Sequence, residues 1–187
     1  GEVRLRLAGL SHASDDPFGT DLKDIHLEVH SGEIVGIAGV SGNGQQELLY
    51  AVSGEEPLAE KHPVQILGAE AGRMRPGRRR TLGMGFVPEE RLGRGAVPRM
   101  TLAENALLTA HRRKLVKKGL IDFAAVDVFA FECISKYDVK CGGPKAQAKS
   151  LSGGNLQKYI MGREILQQPK LLVVAQPTWG VDVGAAA

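Results

Sequence analysis

Val3 to Leu7 alternates apolar and charged side chains, and Ile25 to Val29 repeats the alternation after a polar loop holding Pro17, Gly19 and Asp21. A period of two sends successive side chains to opposite faces, so both segments are expected as half-buried antiparallel strands. Glu33-Ile34-Val35-Gly36-Ile37-Ala38 is nearly all apolar and ends in a cluster of glycines, after which Gln45 to Ser53 has helix-forming composition. That order predicts a strand, a tight loop and a helix. Val64 to Leu67 and Gly83 to Val87 are further short strand candidates, the second stopped by Pro88, which has no N–H for a ladder.

From Leu92 to Gln168 the apolar spacing becomes helical. Thr101 with Glu104 three residues later has the capping-box pattern, and Leu102, Ala106 and Leu107 line one face. A second helix is expected from Asp122, burying Phe123, Val126, Ala130, Cys133 and Tyr137. A third begins at Gly153 or Asn155 and stops before Pro169, and Lys170 to Ala175 reads as a fully buried parallel strand. The fold class expected is therefore α/β, with a core over 1–91 and 169–187 and a helical subdomain inserted over 92–168.

A chain of 187 residues, 43% hydrophobic and 24% charged, is long and apolar enough to bury a core and argues against extended disorder. The formal net charge is only +3. Basic residues cluster at Arg78, Arg79 and Arg80 and again from His111 to Lys118, which reads as solvated loop and helix surface. No nucleic-acid partner is expected, and anionic lipid beside a membrane partner is the better functional alternative. Cys133 and Cys141 have no companions at metal-ligand spacing and suggest no disulfide framework, so no metal site is expected and a reducing, cytosolic setting fits best. No run reaches the roughly 20 apolar residues that cross a bilayer, so membrane association would come through a partner.

Two motifs carry chemistry. Gly39-Val40-Ser41-Gly42-Asn43-Gly44 matches the first six positions of the phosphate loop G-x-x-x-x-G-K-[ST], but Gln45 and Gln46 fill the last two. Glycines let backbone N–H groups point inward and the next helix adds positive partial charge, so an anion site survives without the lysine. A dinucleotide fingerprint is excluded, because Glu47 stands where its third glycine would fall. The second motif, Leu151-Ser152-Gly153-Gly154-Asn155-Leu156-Gln157-Lys158, opens a helix and offers a hydroxyl, close-approach N–H groups and a helix dipole.

This second motif resembles the LSGGQ signature of ATP-binding-cassette (ABC) proteins, in the LSGGNQQK form of sugar and nucleoside importers. The resemblance continues through Leu171-Leu172-Val173-Val174-Ala175-Gln176-Pro177-Thr178, at the place of the family's hhhhDEPT segment, and Gly180-Val181-Asp182, at its D-loop. Val87-Pro88-Glu89-Glu90-Arg91 is similar to the importers' VPEDR segment, with Glu89 at the Q-loop position. It implies a P-loop NTPase-like core with an N-terminal antiparallel β subdomain, and looks most like the second cassette of tandem-cassette nucleoside and simple-sugar ATPases.

What the resemblance implies next is a damaged site. Gln45, Gln46, Ala175 and Gln176 replace the four side chains that handle phosphate charge, metal and water, whereas Ser152, Gly153, Gly154 and Asp182 are kept. ATP would be the ligand, with Mg2+ bound mainly by the site of a partner cassette in the same polypeptide, to which this chain lends its signature. Transmembrane permease subunits would be further partners, near Pro88 to Asn105, placing the chain in the cytoplasm on the inner face of the membrane. Hydrolysis by this half alone is expected to be negligible. No histidine follows His111, so the family's switch histidine and last strands are expected to be missing by Ala187. His12 and Phe18 are the candidates for stacking on adenine. A non-transport ABC ATPase acting on ribosome or DNA is the alternative, and a phosphoryl-transfer kinase ranks last.

Overall fold

The alternating segments form β1 (Val3–His12) and β2 (Leu22–His30), which pair antiparallel with Leu5 opposite Val29 and Leu7 opposite Leu27. In this computed structural model, which describes residues 1–110 and 113–177, the chain divides into two compact units, Gly1–Met84 and Gly85–Ala187. In the first, β3 (Val64–Ile66) adds to the other edge of β1 and β4 (Ala69–Glu70) follows, giving the order β2-β1-β3-β4. Leu5 and Leu7, and Val64 and Ile66, are buried at a period of two, and a register shift between Leu7 and Leu10, where Gly9 has φ 64°, returns Leu10 to the buried side.

Helix α1 (Gln45–Ser53) starts at Gly44 and ends at Gly54, both left-handed, with φ of 96° and 86°. At Gly54 a Cβ would also come within 2.5 Å of the Met74 carbonyl oxygen, so only glycine fits. Helix α2 (Pro76–Leu82) has proline in its first turn and carries the basic run. Here the reading of Arg78–Arg80 as solvated surface needs correction, because Arg79 is 0% exposed. Its guanidinium donates to the carbonyls of Ala51 (2.6 Å), Val52 (2.7 Å), Met74 (2.8 Å) and Gly72 (3.2 Å).

The strand expected over 33–38 is a second correction. The segment joins no ladder among the described residues, and Ile34 is 98% and Ile37 58% exposed. A central strand needs neighbours to satisfy its N–H and C=O groups, and no described strand supplies one.

The apolar runs expected as strands form β5 (Met84–Val87) and β8 (Leu171–Val174), which pair with each other. Only Leu171 of β8 is fully buried, the rest being half-buried rather than wholly enclosed. Three helices pack beside them: α3 (Leu102–Thr109), α4 (Phe123–Lys136) and α5 (Gly153–Ile165). Their shared core includes Leu102, Ala106, Phe129, Cys133, Leu156 and Tyr159. Burial pushes the Cys133 thiol up to about 12, which keeps it unreactive.

Phe123 departs from its expected burial and is 70% exposed. It opens α4, where side chains lean toward the helix N-terminus and project past the packed turns that Val126, Phe129, Ala130 and Cys133 supply. Before α4, the short strands β6 (Val116–Lys117) and β7 (Leu120–Ile121) pair antiparallel across Lys118 and Gly119. Both turn residues have positive φ, 50° and 81°, the type I′ geometry that matches strand twist.

The capping box at α3 is complete: Glu104 N–H donates to Thr101 Oγ1 at 3.1 Å, and Thr101 N–H to the Glu104 carboxylate at 2.7 Å. Thr101→Ala is expected to cost about 1 kcal/mol, seen as an earlier urea midpoint with unchanged m-value. An unshifted midpoint would show that the box adds nothing to α3. Behind it, buried Asn105 accepts from Val97 N–H at 2.7 Å and donates to the Val97, Met100 and Thr101 carbonyls, fixing the loop that precedes α3.

Candidate nucleotide-binding site

Residues 39–43 are exposed and lead through buried Gly44 into α1, with Gly42 and Gly44 both left-handed. Two braces hold it. Thr20 Oγ1 donates to the Gly42 carbonyl at 2.8 Å, and Thr20 N–H donates to Glu47 on the first turn of α1 at 3.0 Å. No side chain caps α1 at Gly44, so its first N–H groups and dipole remain directed at the loop. Gln45 folds back into the turn, while Gln46 donates to the Tyr50 hydroxyl. The sequence reading missed Thr20 and Glu47; an acid in the first turn of α1 was the only local signal.

Ser152 is the N-cap of α5, and the helix begins at Gly153, one of the two starts expected. Its Oγ accepts from Asn155 N–H at 3.3 Å and from the Asn155 side chain at 2.9 Å, and Asn155 Oδ1 accepts from Lys140 N–H at 2.8 Å. Ser152 and Gly153 are exposed, and Gly154 and Asn155 half-buried, so the helix tip faces outward. Gln157 is placed differently: it is buried and donates to the Pro177 carbonyl at 3.1 Å, tying α5 to the turn after β8.

That turn holds the next two candidates. Ala175 N–H continues the β5–β8 pairing by donating to the Val87 carbonyl at 2.9 Å, and Gln176 is exposed with φ 41°. Glu89 follows β5 and is half-buried. Asp182 lies outside the described residues, as do Thr178 and His111. Phe18 is 96% exposed on the loop that Thr20 ties to Gly42, and His12 is half-buried beside Glu56 at 3.7 Å.

The family pattern described as ABC transporter matches residues 22–179. The chain belongs to the ABC transporter family. Among relatives of this ABC chain, a nucleoside import ATP-binding protein, NupA, of Lactococcus lactis subsp. cremoris (strain MG1363) is 41% identical over 88% of the chain and 32% of its own length. A guanosine import ATP-binding protein, NupO, of Bacillus subtilis (strain 168) is 39% identical with the same coverage. A ribose import ATP-binding protein, RbsA 1, of Rubrobacter xylanophilus is 37% identical over 99% of the chain and 36% of its own length. The chain thus spans about a third of the length of these relatives.

The solved ATP-binding cassette MJ0796, a dimer in a post-hydrolysis state bound to ADP and Pi, superposes with a TM-score of 0.78 at 22% identity, covering 97% of this chain and 77% of that one. The fold is accordingly that of the P-loop NTPase cassettes. ABC ATPase domains bind ATP and Mg2+. Helix α1 starts without a side-chain cap, and uncapped backbone N–H groups of this kind are donors that phosphate oxygens accept from. In the sequence, the positions of the family's metal and base residues carry Gln46, Ala175 and Gln176, two neutral amides and a side chain without oxygen. Gln176 also has no basic oxygen with which to take a proton from water at neutral pH.

Proposed function

We propose that this ABC chain is an ATP-binding part of a nucleoside or simple-sugar importer whose own site holds nucleotide with little or no turnover, and which lends its signature tip to a partner cassette. The observation that carries this reading is the contrast between its two motifs. The loop of 39–44 keeps the glycine spacing, with Gly42 and Gly44 left-handed, while Gln45, Gln46, Ala175 and Gln176 lack the charge, metal ligand and base of a working site. The Ser152 tip, by comparison, is capped, outward-facing and free of acidic residues in its first turn. A helix N-terminus of that kind attracts a terminal phosphate through N–H groups and dipole.

In this reading the α/β core comprises 1–91 and 169–187, and 92–168 is the helical subdomain that presents the tip. The partner cassette lies in the same polypeptide and binds most of the Mg2+. The braced segment from Pro88 to Asn105 faces permease subunits, which hold the chain at the inner face of the cell membrane. No helix among the described residues is long and apolar enough to cross a membrane. Nucleoside and sugar import are what the names of the relatives carry.

The test is ATP turnover by the full chain with Mg2+. It is expected to stay at the background rate, and Gln176→Ala is expected to change nothing. Brisk turnover that disappears in Gln176→Ala would mean that the amide orients water in a functional site, and the proposal would be wrong.

A further inference from the structure

We infer that Gln45 is an internal latch that closes the phosphate loop on itself, so that nucleotide must displace a side chain to reach the backbone donors. The inference rests on the reading of 39–46 as a nucleotide loop and adds to it a competitor built into the chain. Gln45 Oε1 accepts from the Asn43 N–H at 3.1 Å, and Gln45 Nε2 donates to the Val40 carbonyl at 3.0 Å. One amide therefore joins both arms of the turn. It lies against Gly39, where an added Cβ would come within 2.5 Å of Nε2, so the fold has room for it because residue 39 has no side chain.

The chemistry of the amide is what makes the latch. Glutamine ends in an acceptor and a donor together, whereas lysine carries donors alone and leucine neither. The Asn43 N–H is one of the groups that an inward-pointing anion would seek, and it is already engaged by an oxygen of partial negative charge. Gln45 thus weakens phosphate binding twice. A lysine charge is missing, and a donor is occupied. The two effects separate by substitution, because leucine removes the latch without supplying the charge.

The experiment compares the full chain with Gln45→Leu and Gln45→Lys, using ADP as the probe in calorimetry and the exchange rate of the Asn43 amide proton by NMR. Because the bonds are solvent-facing, each is modest. In Gln45→Leu the Asn43 amide is expected to exchange about tenfold faster and ADP to bind about three- to tenfold tighter. Gln45→Lys should bind tighter still, because it adds the charge. Unchanged Asn43 exchange, or ADP binding in Gln45→Leu that is equal to or weaker than the parent, overturns the latch. If none of the three proteins binds ADP at about 1 mM, the nucleotide-loop reading itself fails, and competition fails with it. Tight ADP binding by the parent with rapid Asn43 exchange would instead overturn the latch and leave the loop reading standing.

Discussion

Replacing Arg79 with methionine is expected to destabilise the N-terminal unit by about 3–5 kcal/mol, among the larger costs a single substitution produces. The guanidinium is fully buried and serves the carbonyls of Ala51, Val52, Gly72 and Met74. Methionine fills similar space but donates nothing. Each orphaned carbonyl then bears a desolvation penalty of about 1–3 kcal/mol, partly offset because no cation has to be buried. Ala51 and Val52 belong to the last turn of α1, so Arg79 is the cation that closes this helix at the end opposite the phosphate loop. Urea denaturation is the measurement, and a loss below about 1 kcal/mol would show that water replaces the guanidinium without strain.

The pH dependence of the same group has a definite sign. Burial lowers the Arg79 pKa from 12.5 to about 10, so the native state holds this proton less tightly than the unfolded chain. Stability from this group therefore rises only as pH climbs between those two values. The difference between parent and Arg79→Met is consequently expected to be flat from pH 6 to pH 8, where Arg79 is charged in both states.

Local chemistry was the legible part of this fold. Thr101, Asp122 and Ser152 stand where helices begin and cap them through short polar side chains that meet N–H groups three residues on, the Thr101 cap as expected. Such bonds depend only on nearby sequence. Arg79 was illegible for the opposite reason, since its partners lie as far away as Ala51 and a run of three arginines looks the same whether it is wet or enclosed. Segment 33–38 fails differently. Its apolar composition records the environment the residues are suited to, but a strand also needs a neighbour, and none is found among the described residues. The same distinction divides the site. The signature's Ser152 and Gly153 could be placed at a helix tip from the motif alone, whereas the Thr20 and Glu47 braces and the inward fold of Gln45 are products of tertiary packing.

Gly153→Asp is expected to lower ATP turnover of the assembled transporter by about 100-fold while leaving this chain as stable as before, or slightly more so. Gly153 is exposed, opens α5 directly after the Ser152 cap, and does not have the positive φ that would exclude a side chain. An aspartate there complements the helix dipole by about 0.3–1 kcal/mol, so a fall in melting temperature is not expected. The same carboxylate puts negative charge where the proposal needs a phosphate to dock. Stability and activity therefore move in opposite directions, which mere misfolding cannot imitate. Gly153→Ser, neutral and similar in size, should fall much less. If Gly153→Asp retained turnover within about twofold, the tip would not meet nucleotide, and its outward placement would serve only to begin a helix.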